Sequence, residues 1–407
     1  MIDKIKQLAK KYKSEIIGIR RHLHAHPELS FEEKNTGEFI ANKLKEWGID
    51  HHHGWVNHGV TALIKGNIAS DKVIALRADI DALPILEKND IEYCSKNQGV
   101  MHACGHDAHT ASLLGTILIL NELKQYWGGT IKFIFQPAEE KTPGGASLMI
   151  AEGVLKNPAP QYIMAQHVHP PLEVGKVGFK SGMYMASSDE IYLTVKGKGG
   201  HGAMPQDCID PILIASNILL GLQQVVSRKG DPTVPSVLTF GKIYSVGGAT
   251  NVIPNEVKIE GTFRTYNENW RKKALEEIEK IANGIAESYG GSCEVVISKG
   301  YPFLFNDEKM TPITKNWAIE YLGDEQVVDL PMRMTSEDFS YYVHEIPGVF
   351  YRLGTGNKAK GITSALHTET FNIDEEELEL GCGLMSWLAI RSLGNDKLDL
   401  KSSCQFV

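Results

Sequence analysis

The first part of the chain alternates between two patterns of apolar residues. Apolar positions at helical spacing predict helices over residues 3–24, 36–47, 107–123 and 144–152. Short apolar runs predict strands over residues 62–65, 73–77, 129–135 and 162–167. Strands that alternate with helices favour an α/β sheet covered by helices on both faces.

The pattern changes near Ser187. Alternating apolar and polar positions predict strands over residues 189–196, 235–245, 257–265 and 293–298, with helices over 210–226 and 268–289. This βαββαβ order is that of a ferredoxin-like α+β module. Because helix and strand alternation resumes after it, we predict that 187–298 is inserted into a discontinuous domain made of 1–186 and 299–407. The polar tail, 396–407, is expected to be loosely held.

Composition narrows the class of protein. A length of 407 residues favours two domains, and 42% hydrophobic with 23% charged residues is ordinary for a soluble globular protein. The net charge of −8 disfavours nucleic acid or an anionic membrane as the main partner. The polar N-terminus lacks the apolar segment of a signal peptide, and no apolar stretch is long enough to span a bilayer. Six cysteines without a CxxC pair indicate reduced thiols in a cytoplasmic protein.

Metal-binding and acid–base side chains fall in four clusters: Cys104-Gly-His106-Asp107, Glu139-Glu140, His167-Val-His169 and His367. Each cluster follows a short apolar run or a turn, so we expect several strand ends to deliver them to one cleft. Together they supply enough donors for two divalent metals and leave one carboxylate for catalysis. The chain is therefore predicted to be a hydrolase.

The first cluster lies just before an apolar helix. Cys104 and His106 are two residues apart, so both side chains can face one site from an extended loop. We expect the helix N-terminus to lower the pKa of the Cys104 thiol, which would make it a good thiolate ligand. Asp107 is predicted to cap this helix. The alternative is an ordinary capped turn with scattered polar residues.

The later clusters complete the predicted site. Glu140 is predicted to bind metal, and Glu139 to stay unligated and take a proton from water; a solvated acidic helix start is the alternative. His167 is preferred as a ligand over His169, for which a structural role, holding a loop carbonyl or a supporting carboxylate, is an equal alternative. His367, far along the chain, is taken as the last ligand because the upstream donors leave the site incomplete.

The inserted module carries three candidate substrate-binding residues. His201 lies in a Gly-rich loop (197–205) and is interpreted as a donor to a developing oxyanion, although a plain hairpin loop is the alternative. Asn251 and Arg264 can grip a substrate carboxylate, Arg264 through its two-pronged guanidinium. Each of the two is, taken singly, also compatible with a surface residue.

The sequence offers less support for an adventitious histidine metal site, a serine nucleophile or a phosphate-binding loop. The run of three histidines at 51–53 is predicted to be a solvated loop. The sequence contains neither a GxSxG nucleophile motif nor a GxxxxGK[ST] phosphate loop. Residues 336–338, which include two acids, are predicted to lie in a turn that supports the site.

The chain resembles the M20 metallopeptidase family, and within it the amidohydrolase branch, nearly end to end. The motifs that carry this resemblance are RRHLHAHPELSFEE (20–33), RADIDALP (77–84), MHACGHDAHTA (101–111), FQPAEE (135–140), HVHP (167–170), GKGGHGAMP (197–205), TNVIP (250–254), GTFR (261–264), SEDFS (336–340) and LHTE (366–369). Peptidases of the wider family usually have a His-x-Asp pair where this chain has Asp79-Ile-Asp81, and a bridging Asp near Cys104. This departure favours the amidohydrolase branch over an aminopeptidase or a carboxypeptidase.

The resemblance implies a zinc-exopeptidase-like catalytic domain with a central mixed sheet and an inserted lid domain that forms a homodimer. It implies a two-metal site, with zinc, manganese, cobalt or nickel as candidate ions, and Glu139 as general base and acid. The implied ligands are Cys104, His106, Glu140, His167 and His367. Asp81 and Asp107 are expected to support these ligands. In such dimers the lid histidine, here His201, typically reaches the partner's active site.

The sequence therefore predicts a metal-dependent amidohydrolase that cleaves small N-acyl amino acids. Two alternatives stay open. One is a dipeptidase with the same chemistry, and the other is a non-catalytic metal-binding protein on the same fold.

Overall fold

The structure is a computed structural model that describes residues 1–394. The α-helices in this part of the chain are α1 (Ile2–Ala25), α2 (Lys34–Glu46), α3 (His106–Glu122), α4 (Gly145–Glu152), α5 (Pro211–Gln224), α6 (Glu268–Ser288), α7 (Met310–Leu322), α8 (Ser340–Glu345) and α9 (Glu376–Gly394). The predicted helices are confirmed with small shifts at their ends. The polar tail, 396–407, lies outside the described residues.

The strands complete the list of elements. They are β1 (Asp50–Trp55), β2 (Gly59–Lys65), β3 (Ile68–Asp79), β4 (Gly128–Gln136), β5 (Tyr162–Glu173), β6 (Val177–Phe179), β7 (Gly182–Met185), β8 (Asp189–Lys196), β9 (Gly200–His201), β10 (Ser236–Val246), β11 (Val252–Ile253), β12 (Glu256–Thr265), β13 (Ser292–Lys299), β14 (Leu304–Asn306), β15 (Val327–Asp329) and β16 (Gly348–Gly356). Each strand predicted from the sequence is confirmed, some with longer bounds.

Contacts divide the described residues into two compact units. Of the described residues, unit 1 contains Met1–Tyr184, Phe305–Met332 and 338–394. Unit 2 contains Met185–Leu304 and Arg333–Glu337. Each unit has its own cluster of buried apolar side chains.

The core of unit 1 is an eight-stranded mixed sheet in the order β1-β2-β4-β3-β5-β16-β6-β15. The neighbours β4, β3, β5 and β16 run parallel to one another, so their carboxyl ends meet at one edge. Helix α3 is apolar on all sides (TASLLGTILIL) and is almost wholly buried, packed against α1, α9 and β3. The prediction of an α/β fold with a central mixed sheet is confirmed.

Unit 2 is built around a four-stranded antiparallel sheet in the order β10-β12-β8-β13, with α5 and α6 packed against it. Numbered within the unit, the strand order is 2-3-1-4, which is the ferredoxin-like arrangement. One face of this sheet is buried. In strand β8 the apolar residues Ile191, Leu193 and Val195 are buried, and the residues between them face outward.

Two local predictions are wrong. The histidines at 51–53 form part of β1, which pairs with β2, because an edge strand tolerates polar side chains on its open face. Asp107 does not cap α3, since the capping position belongs to Gly105 in a left-handed conformation. Within the described part of the chain, no helix combines the length and apolar character needed to cross a bilayer.

Candidate functional site

The candidate site lies at the edge of the unit 1 sheet where the parallel strands end. Asp79 is the last residue of β3 and pairs in register with Gln136, the last residue of β4. Arg77 pairs with Ala165 of β5, which puts His167 level with Asp79. Side chains that follow these strand ends therefore start from the same edge, where ligands of open α/β sheets usually bind.

The predicted ligand side chains meet at this edge. The sulfur of Cys104 lies 3.4 Å from Nε2 of His167 and 3.3 Å from Nε2 of His367. Nε2 of His367 is also 3.3 Å from Oε1 of Glu140, and Nε2 of His106 is 3.9 Å from the same oxygen. The five predicted ligands are covered by two of the groups able to hold an ion, Cys104–His106–His167 and Cys104–Glu140–His367, which share the cysteine sulfur.

Two buried donor atoms fit a bound cation. Nε2 of His106 and Oε1 of Glu140 are buried, and neither has a hydrogen-bond partner among the described residues. Buried polar atoms are normally paired, so both are suited to binding a metal. A set of sulfur, imidazole and carboxylate donors suits zinc and other divalent transition metals.

Asp81 orients one of these ligands and holds another. Its Oδ1 lies 3.1 Å from Nδ1 of His106, which fixes the ring with Nε2 facing the other donors. Its Oδ2 accepts hydrogen bonds from the main-chain N–H of Glu140 (2.9 Å) and from the hydroxyl of Ser30 (2.7 Å). Burial alone would raise the pKa of Asp81, but the hydrogen bond with His106 lowers it.

The carboxylates around His106 favour a positive charge at this position. Burial by itself would lower the pKa of this imidazole, but Asp79, Asp81 and Glu140 raise it to about 10. The same carboxylates would stabilise a divalent cation. The other site histidine, His167, donates from Nδ1 to the carbonyl of Val168 at 2.7 Å, so its Nε2 faces Cys104.

The prediction that the helix N-terminus lowers the pKa of the Cys104 thiol is wrong. Burial, together with Glu140 and Glu139, raises the pKa of its thiol well above the usual range, so the helix N-terminus does not dominate. In the protein alone the thiol is therefore protonated, and coordination to a divalent cation is what would deprotonate it.

His109 does not belong to the ligand set, although it lies beside Asp79 and His106. Its Nδ1 donates to Oδ1 of Asp79 at 2.6 Å, and its Nε2 accepts the main-chain N–H of Val168 at 2.9 Å. Both ring nitrogens are therefore used by the protein. His109 anchors β5 next to His167.

The loop that presents Glu139 and Glu140 is held in an unusual conformation. Ala138 has a φ of +55°, which is uncommon for a residue with a side chain, and its N–H donates to Oε1 of Glu33 at 2.7 Å. A side chain at Gly145 would lie 1.7 Å from the carbonyl oxygen of Pro137, so the loop closes only with glycine there. Burial and nearby Asp81 raise the pKa of Glu33 to about 8.

Glu139 is buried beside this ligand set. Its side chain is grouped with those of His106 and Glu140, and its Oε1 accepts the main-chain N–H of Asp338 at 3.4 Å. The carboxylate of Glu139 is thus close enough to the ligands to exchange a proton with a water molecule bound between them.

His367 reaches the site from a distant loop. It has a φ of +60°, and its main-chain N–H donates to the carbonyl of Ala103 at 2.9 Å, next to Cys104. Unusual backbone angles at a non-glycine residue are typical of functional sites. The loop 366–369 and the loop 101–105 are therefore joined directly.

Asp107 points to a different set of groups. Its Oδ2 lies 2.8 Å from Nε of Arg20 and 2.8 Å from Nδ1 of His24. Burial would raise its pKa, but Arg20 and His24 hold it well below its usual range. His24 also contacts Glu87, whose pKa is lowered to about 2 although burial opposes this. Asp107 therefore ties α1 to the start of α3.

The three candidate residues of the insert lie in unit 2. His201 in β9 pairs with Val252 in β11, which brings it next to Asn251. Nδ1 of His201 accepts the N–H of Ala203 at 3.0 Å, so a neutral ring carries its proton on Nε2. Arg264 in β12 is half-buried, and its Nη1 donates to the carbonyl of Met334 at 3.1 Å.

Several residues of the site were not singled out from the sequence. Arg77, His109, Glu33 and Asp79 all lie in motifs that carried the resemblance, but none was expected to act in the site. A charged residue within a buried strand, such as Arg77, was the signal that could have revealed a polar network. Asp338 was expected only to support the site from a turn.

Residues 75–390 match the peptidase family M20/M25/M40. The chain belongs to this family. An N-acyl-L-amino acid amidohydrolase of Geobacillus stearothermophilus is 43% identical over 310 residues, which cover 76% of this chain and 83% of the relative. Thermostable carboxypeptidase 2 of Saccharolobus solfataricus is 37% identical and covers 96% of this chain and 98% of the relative.

Among solved structures, the chain is similar to the YXEP protein of Bacillus subtilis, described as a dinuclear metal binding peptidase of the M20 family. The TM-score is 0.79 at 37% identity, with 94% of this chain and 99% of the other covered. The predicted resemblance to the M20 family and its amidohydrolase branch is confirmed, as is the prediction of a hydrolase. The prediction of a divalent-metal cofactor is also confirmed, without the identity of the metal.

Proposed function

We propose that this M20 hydrolase cleaves the amide bond of small N-acyl amino acids and releases the amino acid and a carboxylate. The observation that carries the proposal is the meeting of five metal-binding side chains beside one further carboxylate, that of Glu139. The ligands in this proposal are Cys104, His106, Glu140, His167 and His367. When bound, two divalent ions would lower the pKa of water and polarise the acyl carbonyl.

Glu139 acts as the proton carrier in this proposal. It accepts the proton of the attacking water and then transfers it to the leaving amine. Its neighbour Glu140 is committed to metal, so adjacent residues have different roles. The hydrogen bond from the N–H of Asp338 supports a fixed direction for the Glu139 carboxylate.

The substrate assignment rests on the residues of the insert. His201, with its proton on Nε2, donates a hydrogen bond to the oxyanion. The side chain of Arg264 makes a single hydrogen bond among the described residues, so its guanidinium retains donors for the α-carboxylate of the substrate. Asn251, next to His201, adds an amide donor. The guanidinium of Arg264 and these hydrogen-bond donors would allow a chain of net charge −8 to bind an anionic substrate.

We also propose that the protein is a homodimer that pairs through unit 2. Strand β10 is an edge strand of its sheet, and its Ile243 and Val246 are 50% and 48% exposed. Helix α5 adds exposed Leu213 and Leu220, which lie seven residues apart on one helix face. A second copy that continues the sheet would cover the unpaired edge and these apolar side chains. His201 would then serve the partner's active site.

A reducing compartment fits this chemistry, and we place the protein in the cytoplasm. Cys94, Cys104, Cys208, Cys293 and Cys382 are the cysteines that the structure describes, and all of them are free thiols. A thiol ligand such as Cys104 needs surroundings that keep it reduced.

A dipeptidase with the same chemistry is the second candidate, favoured by the resemblance to a relative named as a carboxypeptidase. The test is a hydrolysis screen of the holoenzyme, loaded in turn with zinc, manganese or cobalt. The panel contains acetyl-, benzoyl- and indole-acyl amino acids and matched dipeptides. We expect higher kcat/KM for the N-acyl amino acids. Higher values for dipeptides would favour the second candidate, and inactivity with every metal and substrate would overturn both.

A further inference from the structure

The loop that carries Glu139 and Glu140 is tied to the protein from two sides. On one side, Asp81 holds the N–H of Glu140 and Glu33 holds the N–H of Ala138. On the other side lies Asp338, far along the chain and fully buried. The two sides contact different parts of the loop, so they can be separated by substitution.

The carboxylate of Asp338 joins both ends of the loop. Its Oδ2 accepts a hydrogen bond from the side-chain amide of Gln136 at 2.7 Å, directly before the loop begins. The same oxygen accepts the main-chain N–H of Ala146 at 3.0 Å, where α4 begins after the loop. A negative charge at this helix N-terminus is also favourable. Residues 137–145 are therefore closed into a ring by one side chain.

Asp338 also contacts the proposed proton carrier. Its own main-chain N–H donates to Oε1 of Glu139 at 3.4 Å. The residue that closes the loop is thus the residue that directs the Glu139 carboxylate. The main-chain N–H of Glu140, in contrast, donates to the carboxylate of Asp81.

Arg77 fixes Asp338 in turn. Its guanidinium, buried within β3, donates from Nη2 to Oδ1 of Asp338 at 2.7 Å and from Nη1 to Oδ2 of Asp79 at 2.6 Å. Its Nε donates to Oε1 of Gln136 at 2.9 Å. Asp79 holds His109, which anchors the strand of His167. A continuous buried network therefore connects the Glu139 side of the site with the His167 side.

We propose that Asp338, fixed by Arg77, is a positioning residue for Glu139 that sets the direction of the general base without contributing to metal binding. This proposal rests on the function proposed above for Glu139. It also assigns different roles to two buried aspartates: Asp338 orients the base, and Asp81 supports the metal ligands.

The chemistry of the carboxylate makes Asp338→Asn a sharp substitution. Both oxygens of Asp338 accept hydrogen bonds, from Arg77 on one and from Gln136 and Ala146 on the other. An amide of the same size would place an NH₂ group against a donor in either orientation. The loop would lose one of its attachments while the side-chain volume is kept.

The test compares Asp338→Asn with Asp81→Asn in the metal-loaded protein. For Asp338→Asn we expect a full metal content, an almost unchanged KM and a kcat lower by about 10²-fold, the usual cost of a misplaced catalytic group. For Asp81→Asn we expect loss of metal. Metal loss in Asp338→Asn, or a wild-type kcat in the folded variant, would overturn the proposal.

A second measurement does not depend on turnover. Hydrogen–deuterium exchange of the loaded protein should show the amides of 138–146 exchanging at least about tenfold faster in Asp338→Asn, with β5 unchanged. Unchanged exchange in this segment would also overturn the proposal. If the wild-type protein hydrolyses none of the substrates in the panel, the proposed function fails, and the exchange measurement still decides whether Asp338 holds the loop.

Two further variants control for loss of a buried charge. Asp189→Asn removes a buried aspartate that pairs with Arg271 in unit 2, and we expect it to leave kcat unchanged. An equal loss of kcat there would assign the effect to general destabilisation and overturn the proposal. If Asp338→Asn does not fold, Gln136→Met decides. It removes one end of the same attachment and should show the same pattern, a lower kcat with full metal content; wild-type kcat and loop exchange would overturn the proposal.

Discussion

Nε2 of His367 lies 3.3 Å from the sulfur of Cys104, although 263 positions separate the two residues in the sequence. The contact is supported by the main-chain hydrogen bond from His367 to Ala103. The ligand set therefore exists only in the folded protein, because neither loop holds more than part of it. Cys104 is the donor common to the groups Cys104–His106–His167 and Cys104–Glu140–His367, each of which can hold an ion.

Replacement of Cys104 should remove metal from both positions. Because the sulfur is shared by the two donor groups, Cys104→Ala should reduce the metal content from two ions per chain to less than one, measured by mass spectrometry of the dialysed protein. Cys293→Ala, which changes a cysteine of unit 2, should keep two ions. Full metal content in Cys104→Ala would contradict the shared role of the sulfur.

Replacement of Glu139 should separate catalysis from metal binding. Glu139→Gln keeps the size of the side chain and removes its ability to accept a proton, so kcat should fall by about 10²–10⁴-fold. The same protein should still hold two ions, whereas Glu140→Gln should lose metal. A Glu139→Gln protein that retains wild-type turnover would refute the assignment of the base.

Pairing of two inactive variants should restore activity if His201 serves the partner's site. In a mixture of His201→Ala and Glu139→Ala proteins, each mixed dimer has one site with both residues intact. After full exchange of subunits, activity should return to about a quarter of the wild-type value, because half of the dimers are mixed. Proven exchange without any recovery would exclude the action of His201 across the dimer.

The stability of unit 1 in acid should depend on Glu87. Folding lowers its pKa to about 2, so its contribution to stability is complete above its unfolded pKa, about 4.5, and disappears as the pH falls toward 2. Glu87→Gln should therefore lower the free energy of unfolding by about 2–3 kcal/mol at pH 7, with the difference closing below pH 4.5. Urea unfolding of both proteins between pH 7 and pH 2 measures this difference in the free energy of unfolding, and Glu32→Gln, at an exposed position, is the control. A difference independent of pH would contradict the charged contact with His24.

Much of the architecture follows from local patterns. Helical spacing located α1 and α6, and simple alternation located β8 and β12, because these elements have one buried and one exposed face. The ligand clusters were visible because cysteine, histidine and glutamate rarely occur so close together by chance in a buried segment. Those local features needed no knowledge of which strands are neighbours.

The polar network behind the site was not predictable in the same way. Arg77 and Asp338 meet only because β3 lies beside β4 and a distant loop returns to it, and one charged residue in a strand gives no partner. The pKa of Cys104 depends on burial and on three carboxylates from other segments, so its local helix start was misleading. The histidines at 51–53 occupy a sheet edge that only the topology reveals.

The most direct test of the central claim is a crystal structure of the metal-loaded protein with anomalous scattering data at the absorption edge of the bound metal. We expect two anomalous peaks about 3.5–4 Å apart. The Cys104 sulfur should lie within about 2.3 Å of both peaks and each of the other four ligands within about 2.0–2.2 Å of one peak, with Glu139 bound to neither. A single peak, peaks away from Cys104 and His367, or a direct bond from Glu139 would contradict the account.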